Sequence, residues 1–244
     1  MGRAKEIIVK VIPAKIANEF VKKHHYSKTF AFCSRVHFGA FLDNKLHGVL
    51  SYGNPIDKRK VLPLVKNTNW NEIIELNRMA FDDYLPKNSE SRCIAITIKL
   101  IKQNSPHIKW ILSFSDGTQC GDGTIYRASG FYLTGIKENK SLYKMPNGIV
   151  FNEVSTRQRQ GDALRRKIGF KLGETFNQFR KRTYCESIIG FQLRYIYLID
   201  KTCKITVPIL PFSKIDEMGA GMYKGEKITL AERKQAVEAQ EKCN

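Results

Sequence analysis

Apolar positions recur along this chain in two rhythms, every second residue and every third or fourth, and the changes between them mark its elements. Glu6 to Ile12 alternates and reads as a first strand, ended by Pro13. Ile16, Ala17, Phe20 and Val21 then form one helical stripe, with Pro13 suited to the first helical position. That helix runs out at Lys22-Lys23-His24-His25-Tyr26-Ser27-Lys28. Val36 to Leu42 and Leu46 to Tyr52 are two strands around Asp43-Asn44-Lys45, a hairpin signal. After a loop rich in Pro and Lys, Trp70 to Phe81 contains I-I-E-L-N-R-M-A-F and reads as the central strand. Asp82 to Glu90 is rich in turn formers, and Ser91 to Gln103 has helical spacing at Ile94, Ile98 and Ile101 until Pro106 and His107 break it.

Trp110 to Phe114 is a short apolar run of strand length, followed by the turn formers Ser115, Asp116 and Gly117 and then Gly121, Asp122 and Gly123. Ile125 and Tyr126 precede Ser129 and Gly130 by the spacing of neighbours on one helix face. Gly130 stands where a left-handed cap closes a helix, and Phe131 to Leu133 return to strand composition. Strand, glycine-rich turn, short helix and strand is how an α/β protein presents groups to a ligand at a strand end. Further on, Gln192 to Asp200 alternates like a strand, and a T-x-x-E capping box at Thr229 and Glu232 predicts a terminal helix.

Composition narrows the partner. The 244 residues suffice for one ordinary core plus an appendage, and 42% hydrophobic content is that of a folded protein. A net charge of +18 and a pI near 9.7 point to a polyanion, most simply nucleic acid. The charge is concentrated. Between Ser155 and Arg182 stand Arg157, Arg159, Arg165, Arg166, Lys167, Lys171, Arg180, Lys181 and Arg182 against two acids, Asp162 and Glu174. Phe170, Phe176 and Phe179 interleave with them, and cations among aromatics suit phosphate contact and base stacking. The six cysteines form no C-x-x-C pair, which argues against a zinc cluster or a dense disulfide framework. No His/Asp/Glu trio has a local metal-ligand spacing, so no metal ligands are assigned and a site assembled in space is left open. The N-terminus lacks the apolar core of a signal peptide and no run of about 18 apolar residues occurs, so reduced thiols in a cytoplasm are expected.

Two motifs carry a family resemblance. Tyr126 to Phe131 looks like the Y-x-x-x-G-F that ends the last helix of GNAT-type acyltransferases. The longer string from Ser113 to Gly135, S-F-S-D-G-T-Q-C-G-D-G-T-I-Y-R-A-S-G-F-Y-L-T-G, resembles the Mom family of phage DNA-modification proteins. His25-Tyr26-Ser27, P-K-N-S-E-S-R at 86–92 and R-Y-I-Y at 194–197 resemble the same family. The resemblance implies a GNAT-like α/β fold, a mixed central sheet flanked by helices, with a basic helical insertion. It implies conversion of adenine in double-stranded DNA to an N6-carbamoylmethyl derivative that protects against restriction. The expected organisation is a catalytic core over 1–136, a basic insertion over 137–184 contacting DNA, closing strands of the core over 185–212, and a tail with a short helix over 213–244.

The same resemblance distributes roles. His25 and Tyr26 follow the first helix, where GNAT folds line the acceptor site, and would contact an extruded adenine. Tyr126 holds the GNAT position whose hydroxyl protonates a departing thiolate. Asn88, Ser89, Ser91 and Arg92 occupy the loop-to-helix junction that cradles a donor's pyrophosphate. The general GNAT signature Q/R-x-x-G-x-G/A is replaced there by a segment without glycine, which sets an acyl-CoA-type donor in question. Gly123 and Thr124 would shape the turn and cap the following helix, with a backbone role towards the donor.

Residue chemistry adds the rest. Asp116, at the carboxyl end of its strand with Ser113 and Ser115 beside it, would accept a proton or hydrogen-bond the base. On the central strand Glu75 and Asn77 share one face, suited to orienting an exocyclic amine, while Arg78 takes the other. Tyr52 is a candidate stacking residue. Simple acyl transfer from acetyl-CoA gives N6-acetyladenine, whereas the family's product has a methylene carbon on nitrogen, so the donor's identity stays open. An ordinary N-acetyltransferase, or a non-catalytic nucleic-acid-binding domain of the same fold, would share these features.

Overall fold

The computed structural model describes residues 3–118, 122–157, 161–223, 226–227 and 232. In chain order the elements are β1 (Ile8–Val11), α1 (Ala14–His24), β2 (Ser34–Leu42), β3 (Lys45–Gly53), α2 (Lys58–Val61), β4 (Val65–Lys66), β5 (Ile73–Phe81), α3 (Ser89–Asn104) and β6 (Trp110–Asp116). There follow α4 (Thr124–Ala128), β7 (Tyr132–Lys144), β8 (Val150–Asn152), α5 (Glu153–Arg157), α6 (Asp162–Lys167), α7 (Phe176–Thr183), β9 (Glu186–Leu198), β10 (Lys204–Ile205) and α8 (Ser213–Glu217). The chain divides into two compact units. The first comprises Met1–Phe114, Gly123–Gly135 and Arg194–Pro211, and the second Ser115–Asp122, Ile136–Leu193 and Phe212–Asn244.

The first unit is α/β. Its strand order is β1-β2-β3-β5-β6-β9-β7, antiparallel from β1 through β5 and parallel between β5 and β6. The expected hairpin is present. Asp43 and Asn44 both take positive φ (49° and 60°), the two-residue turn whose twist matches that of its strands. One face of α1 buries Ala17 and Val21 against Ile12, Val49 and Ala80. Ile94, Ile98 and Ile101 of α3 are buried as their spacing predicts. Trp110, wholly buried, centres a cluster with Val65, Ile73, Leu112 and Ile196.

Two boundaries differ from expectation. The central strand starts at Ile73 because Trp70–Glu72 is a 3-10 turn, closed when the Glu72 carboxylate accepts the Asn69 N–H at 2.6 Å. The first strand is shorter than Glu6 to Ile12, since Arg3–Glu6 is also a 3-10 turn. Gly130 does take the left-handed conformation, φ 77°.

In the second unit the outer parts of β9 and β7 continue and β8 pairs with β7 at Leu142↔Asn152. β7 runs to Lys144, well past the strand composition at 131–133, because its far end buries Leu142 and Tyr143 while the intervening positions are polar. A separate core joins Tyr143, Phe151, Ile168, Phe179 and Cys185, with Phe170 and Phe176 packed against it. Among its described residues the basic segment forms three short helices, α5, α6 and α7. The predicted capping box at Thr229 and Glu232 lies outside the described residues at Thr229. No helix among the described residues is long and apolar enough to cross a membrane.

Gly53 is required at the end of β3 by close approach: a Cβ there would stand 2.0 Å from the Cys33 carbonyl oxygen. Gly53→Ala is expected to lower stability by about 1–3 kcal/mol, the cost of overpacking, in urea unfolding followed by circular dichroism. An unchanged midpoint would contradict the tight apposition.

Candidate functional site

The first unit's candidate site is built on an irregularity of β5. Opposite it, Ser51 of β3 pairs with Arg78 and Tyr52 with Leu76, so Asn77 is an extra residue, a β-bulge. Such a bulge re-aims side chains and breaks the two-residue period. On its other edge β5 pairs with β6 only from Ile73↔Trp110 to Leu76↔Ser113. From Asn77 onward β5 is hydrogen-bonded to β3 alone. Bulge and parting strands coincide, and the polar trio Glu75, Asn77 and Arg78 lies there.

The Asn77 side chain lies beside the Glu75 carboxylate, and its carbonyl oxygen accepts from Ser34 Oγ at 3.1 Å. Desolvation dominates the Glu75 environment and pushes its carboxyl up to about 7, although Asn77 and the Arg78 charge pull the other way. The Arg78 guanidinium donates to the Thr29 carbonyl (3.0 Å) and to the Asn77 carbonyl (2.7 Å). Its charge is felt at Glu75, Cys33 and His25 alike, so Arg78 converges on this cluster instead of taking the opposite face. The bulge at Asn77 is the reason strict alternation fails.

His25 caps α1 and is buried at 8% exposure. Its Nδ1 accepts the Ser27 backbone N–H (3.1 Å) and meets Ser27 Oγ at 2.8 Å, which leaves the ring proton on Nε2. Burial, then Arg78 and Lys28, lower it to about 3, so the ring is neutral near pH 7. Tyr26 lies against that ring, 4.3 Å between centroids, and is half exposed at 50%. Phe32 is more exposed still at 68% and sits edge-on to Phe30. The loop after α1 thus carries two open aromatic rings and is tied to the polar trio through the Thr29 carbonyl and the Ser34 hydroxyl. The Cys33 thiol is pushed up by burial and by Glu75, the opposite of an activated nucleophile.

Other expected residues fall elsewhere. Tyr52 is wholly buried with its hydroxyl 2.6 Å from Thr97 Oγ1, so it presents no ring face on which a base could stack. Ser113 is buried and donates to the Leu76 carbonyl. Tyr126, also buried, stacks on Tyr195 at 5.0 Å and meets Phe131 edge-on. Gly123 takes φ 68° at the start of α4, next to Thr124, and a Cβ there would lie 2.6 Å from Tyr195 Oη. At the start of α3, Asn88 takes the left-handed φ of 68°. Ser89 Oγ turns back to the Pro86 carbonyl, Ser91 Oγ to the Asn88 carbonyl, and Arg92 Nη2 to the Lys5 carbonyl. Arg92 Nε is buried without a partner.

In the second unit, Asp116 Oδ1 accepts the Thr118 N–H at 3.0 Å, and Ser115 is buried. The cations of the basic segment separate into two kinds. Arg157 pairs with Glu153, Arg165 with Asp162, and Arg182 with Glu174, while Arg180 lies over the Tyr143 ring. Among the described residues, the side chains of Arg166, Lys167 and Lys181 form no ion pair or hydrogen bond, and Lys171 lines open surface. Arg159 lies outside the described residues. No cluster of three or more His, Cys, Asp or Glu suited to a metal occurs among the described residues.

Sequence reasoning reached Glu75, Asn77, Arg78, His25 and Tyr26 but missed Thr29, Phe32, Cys33 and Ser34. The run Thr29-Phe30-Ala31-Phe32-Cys33-Ser34 has neither period, and only its density of aromatic and hydroxyl groups after α1 would have drawn attention.

The Mom protein family profile matches residues 6–214. The methylcarbamoylase mom of Escherichia phage Mu is 32% identical over 182 residues, covering 72% of this chain and 75% of that protein. Among solved structures the chain is similar to an IAA acetyltransferase from Bacillus cereus ATCC 14579, with 9% identity, 79% of this chain and 99% of that one covered, and a TM-score of 0.46. It is also similar to an N-acetyltransferase from Staphylococcus aureus Mu50, with 9% identity, coverage of 79% and 98%, and a TM-score of 0.45.

The raised Glu75 carboxyl fixes a sign for stability against pH. The unfolded chain ionises Glu75 near its ordinary value of 4.5, before the folded chain does at about 7, so this group makes stability fall as pH rises through that window. His25 acts oppositely: lowered from 6.5 to about 3, it makes stability fall as pH drops through that range. Urea titrations of wild type and Glu75→Gln at pH 4.5 and pH 8 isolate the first effect, the variant gaining on wild type at the higher pH. A difference independent of pH would contradict the desolvated carboxylate.

Proposed function

The chain belongs to the Mom protein family, and from that membership and the chemistry around Glu75 we propose that it is a transferase converting adenine in double-stranded DNA to N6-carbamoylmethyladenine, protecting that DNA from restriction in the cytoplasm of a host cell. The observation that carries this reading is a largely desolvated carboxylate raised to about 7, beside the Asn77 amide and the anchored Arg78 cation. The adenine amine is a weak nucleophile because its lone pair is delocalised into the ring. A base whose pKa matches the working pH is the group best suited to take its proton as the new bond forms.

The roles follow. Glu75 accepts the amine proton, and the Asn77 amide holds the carboxylate in position. Arg78, anchored on two backbone carbonyls, offers positive charge to an anionic part of the donor. In duplex DNA the base must first leave the stack, which costs a few kcal/mol. Tyr26 and Phe32 offer ring faces to receive it, and neutral His25 carries an Nε2–H able to donate to a ring nitrogen. Asp116, from its place at a strand end, and Tyr126, from the resemblance, remain candidates for proton transfer.

The residues present also fit a donor of the acyl-CoA type. The missing glycine is replaced by Asn88, one of the few residues that tolerates the left-handed conformation, and Arg92 has a buried Nε to satisfy. The N–H groups opening α3, with Arg92, would hold a diphosphate. An acyl thioester reacts at its carbonyl carbon with loss of thiol and would leave an N6-acyl group, so the proposed product needs a donor whose leaving group departs from the methylene carbon.

Nucleoside mass spectrometry of plasmid DNA from cells expressing the protein tests the reading. Wild type is expected to yield a deoxyadenosine species heavier by one carbamoylmethyl group, and Glu75→Gln to lower its formation by about 100-fold or more. With purified components the rate should rise with pH through about 7 as Glu75 ionises. An acetyl adduct would replace the proposed product, and full activity in Glu75→Gln would remove Glu75 as the base.

A further inference from the structure

The loop joining α6 to α7 carries an apolar side chain in a setting built from cations. Leu172 is completely exposed, at 106% of its reference area, between Lys171 and Gly173. The loop is nevertheless fixed. Gly169 and Gly173 take positive φ of 72° and 76°, reversing the chain on either side of the tip. Glu174 Oε2 accepts the Lys171 N–H at 3.0 Å, and both Glu174 oxygens are held by Arg182 at 2.8 Å. The same guanidinium donates to the Gly169 carbonyl at 2.8 Å, so one arginine ties both ends of the loop. Arg182 holds the Glu174 carboxyl down to about 2, which keeps the clamp ionised across any working pH.

Leu172 also separates two hollows. One, about 580 Å³, is lined by Arg157, Arg165, Arg166 and Lys171, with Phe170 and Phe176 contributing apolar wall. The other is a shallow, open surface lined by Lys171, Glu174, Gln178, Lys181 and Arg182. The acids present, Asp162 and Glu174, are already paired with Arg165 and Arg182. What is left over is positive charge on each side of a projecting leucine.

A lone exposed leucine ordinarily signifies nothing. A leucine on a clamped tip between two cationic hollows has the form of an apolar wedge flanked by sites for the two phosphate backbones that border a groove. We propose that Leu172 enters the DNA duplex between adjacent bases, with Arg166 and Lys171 on one strand's phosphates and Lys181 on the other's, and that it unstacks the step it enters. The proposal deepens the reading of duplex DNA as substrate and rests on it. Unstacking costs a few kcal/mol, which the backbone contacts would offset. Nothing covalent is involved.

The test uses the full-length protein and a mixed-sequence duplex, with affinity read by fluorescence anisotropy at several salt concentrations and unstacking by permanganate reactivity of thymines. Wild type is expected to bind with strong salt dependence and to raise thymine reactivity. Leu172→Ala should bind within about threefold of wild type yet lose that reactivity, and Leu172→Met, still an apolar wedge, should keep it. Lys181→Ala and Arg166→Ala should each shallow the salt dependence by about one phosphate. Because Leu172 is fully exposed, its substitution leaves the fold intact. Binding without unstacking by wild type, or equal unstacking by Leu172→Ala, overturns the wedge while leaving the DNA reading in place. Absence of duplex binding overturns both, whereas a Leu172-dependent self-association with no unstacking of bound DNA overturns the wedge alone.

Discussion

Four residues of parallel pairing between β5 and β6, and no more, set the terms for the first unit. A fully paired central strand has its polar backbone satisfied on both edges and its side chains in strict alternation, which leaves no room for chemistry. Here the pairing stops at Leu76, and the next residue, Asn77, is the one that β3 cannot match. The two irregularities reinforce each other, because a bulge bends the strand just where its neighbour departs. Glu75, Asn77 and Arg78 are polar because they line this opening, and the opening exists because the strands cannot close over them.

Much of this was legible in the sequence where a single period held. The hairpin, α1, α3 and the Trp110 strand follow from regular spacing, and Asp43-Asn44 announces its own turn. The site was legible in part: Glu75, Asn77 and Arg78 stand out as polar residues inside an apolar strand. Their mutual arrangement was not, because a bulge leaves no local signature in composition and inverts the side assignment of everything beyond it. Tyr52 shows the complementary limit. Its position on β3 beside the site is correct, but whether a tyrosine ring is open or sealed depends on α3, whose Thr97 takes its hydroxyl. The loop from Thr29 to Ser34 was invisible because its placement depends on Gly53 admitting the Cys33 carbonyl, a contact twenty residues away in the chain.

The second unit presents the reverse case. Its net charge is obvious from the sequence, yet charge density alone ranks all its cations equally. The fold sorts them: Arg157 and Arg165 pair with acids on their own short helices and Arg182 with Glu174 in the turn before α7, whereas Arg166, Lys167 and Lys181 are exposed and, among the described residues, outside any ion pair. Such short helices have little stability of their own and are held by the aromatic cluster around Phe179 and by these internal pairs.

That division has a consequence for how the protein responds to its ionic surroundings. Attraction between outward lysines and phosphates is progressively screened as salt rises. The Arg182–Glu174 clamp is bidentate and partly covered, with the Arg182 side chain 36% and the Glu174 side chain 9% accessible, so salt screens it less than an open lysine. Ionic strength therefore acts on how long the protein dwells on a polyanion and hardly on the contour it offers there. The loop is preorganised: its conformational entropy is surrendered during folding, so affinity can be tuned by the medium without the recognition surface losing its shape.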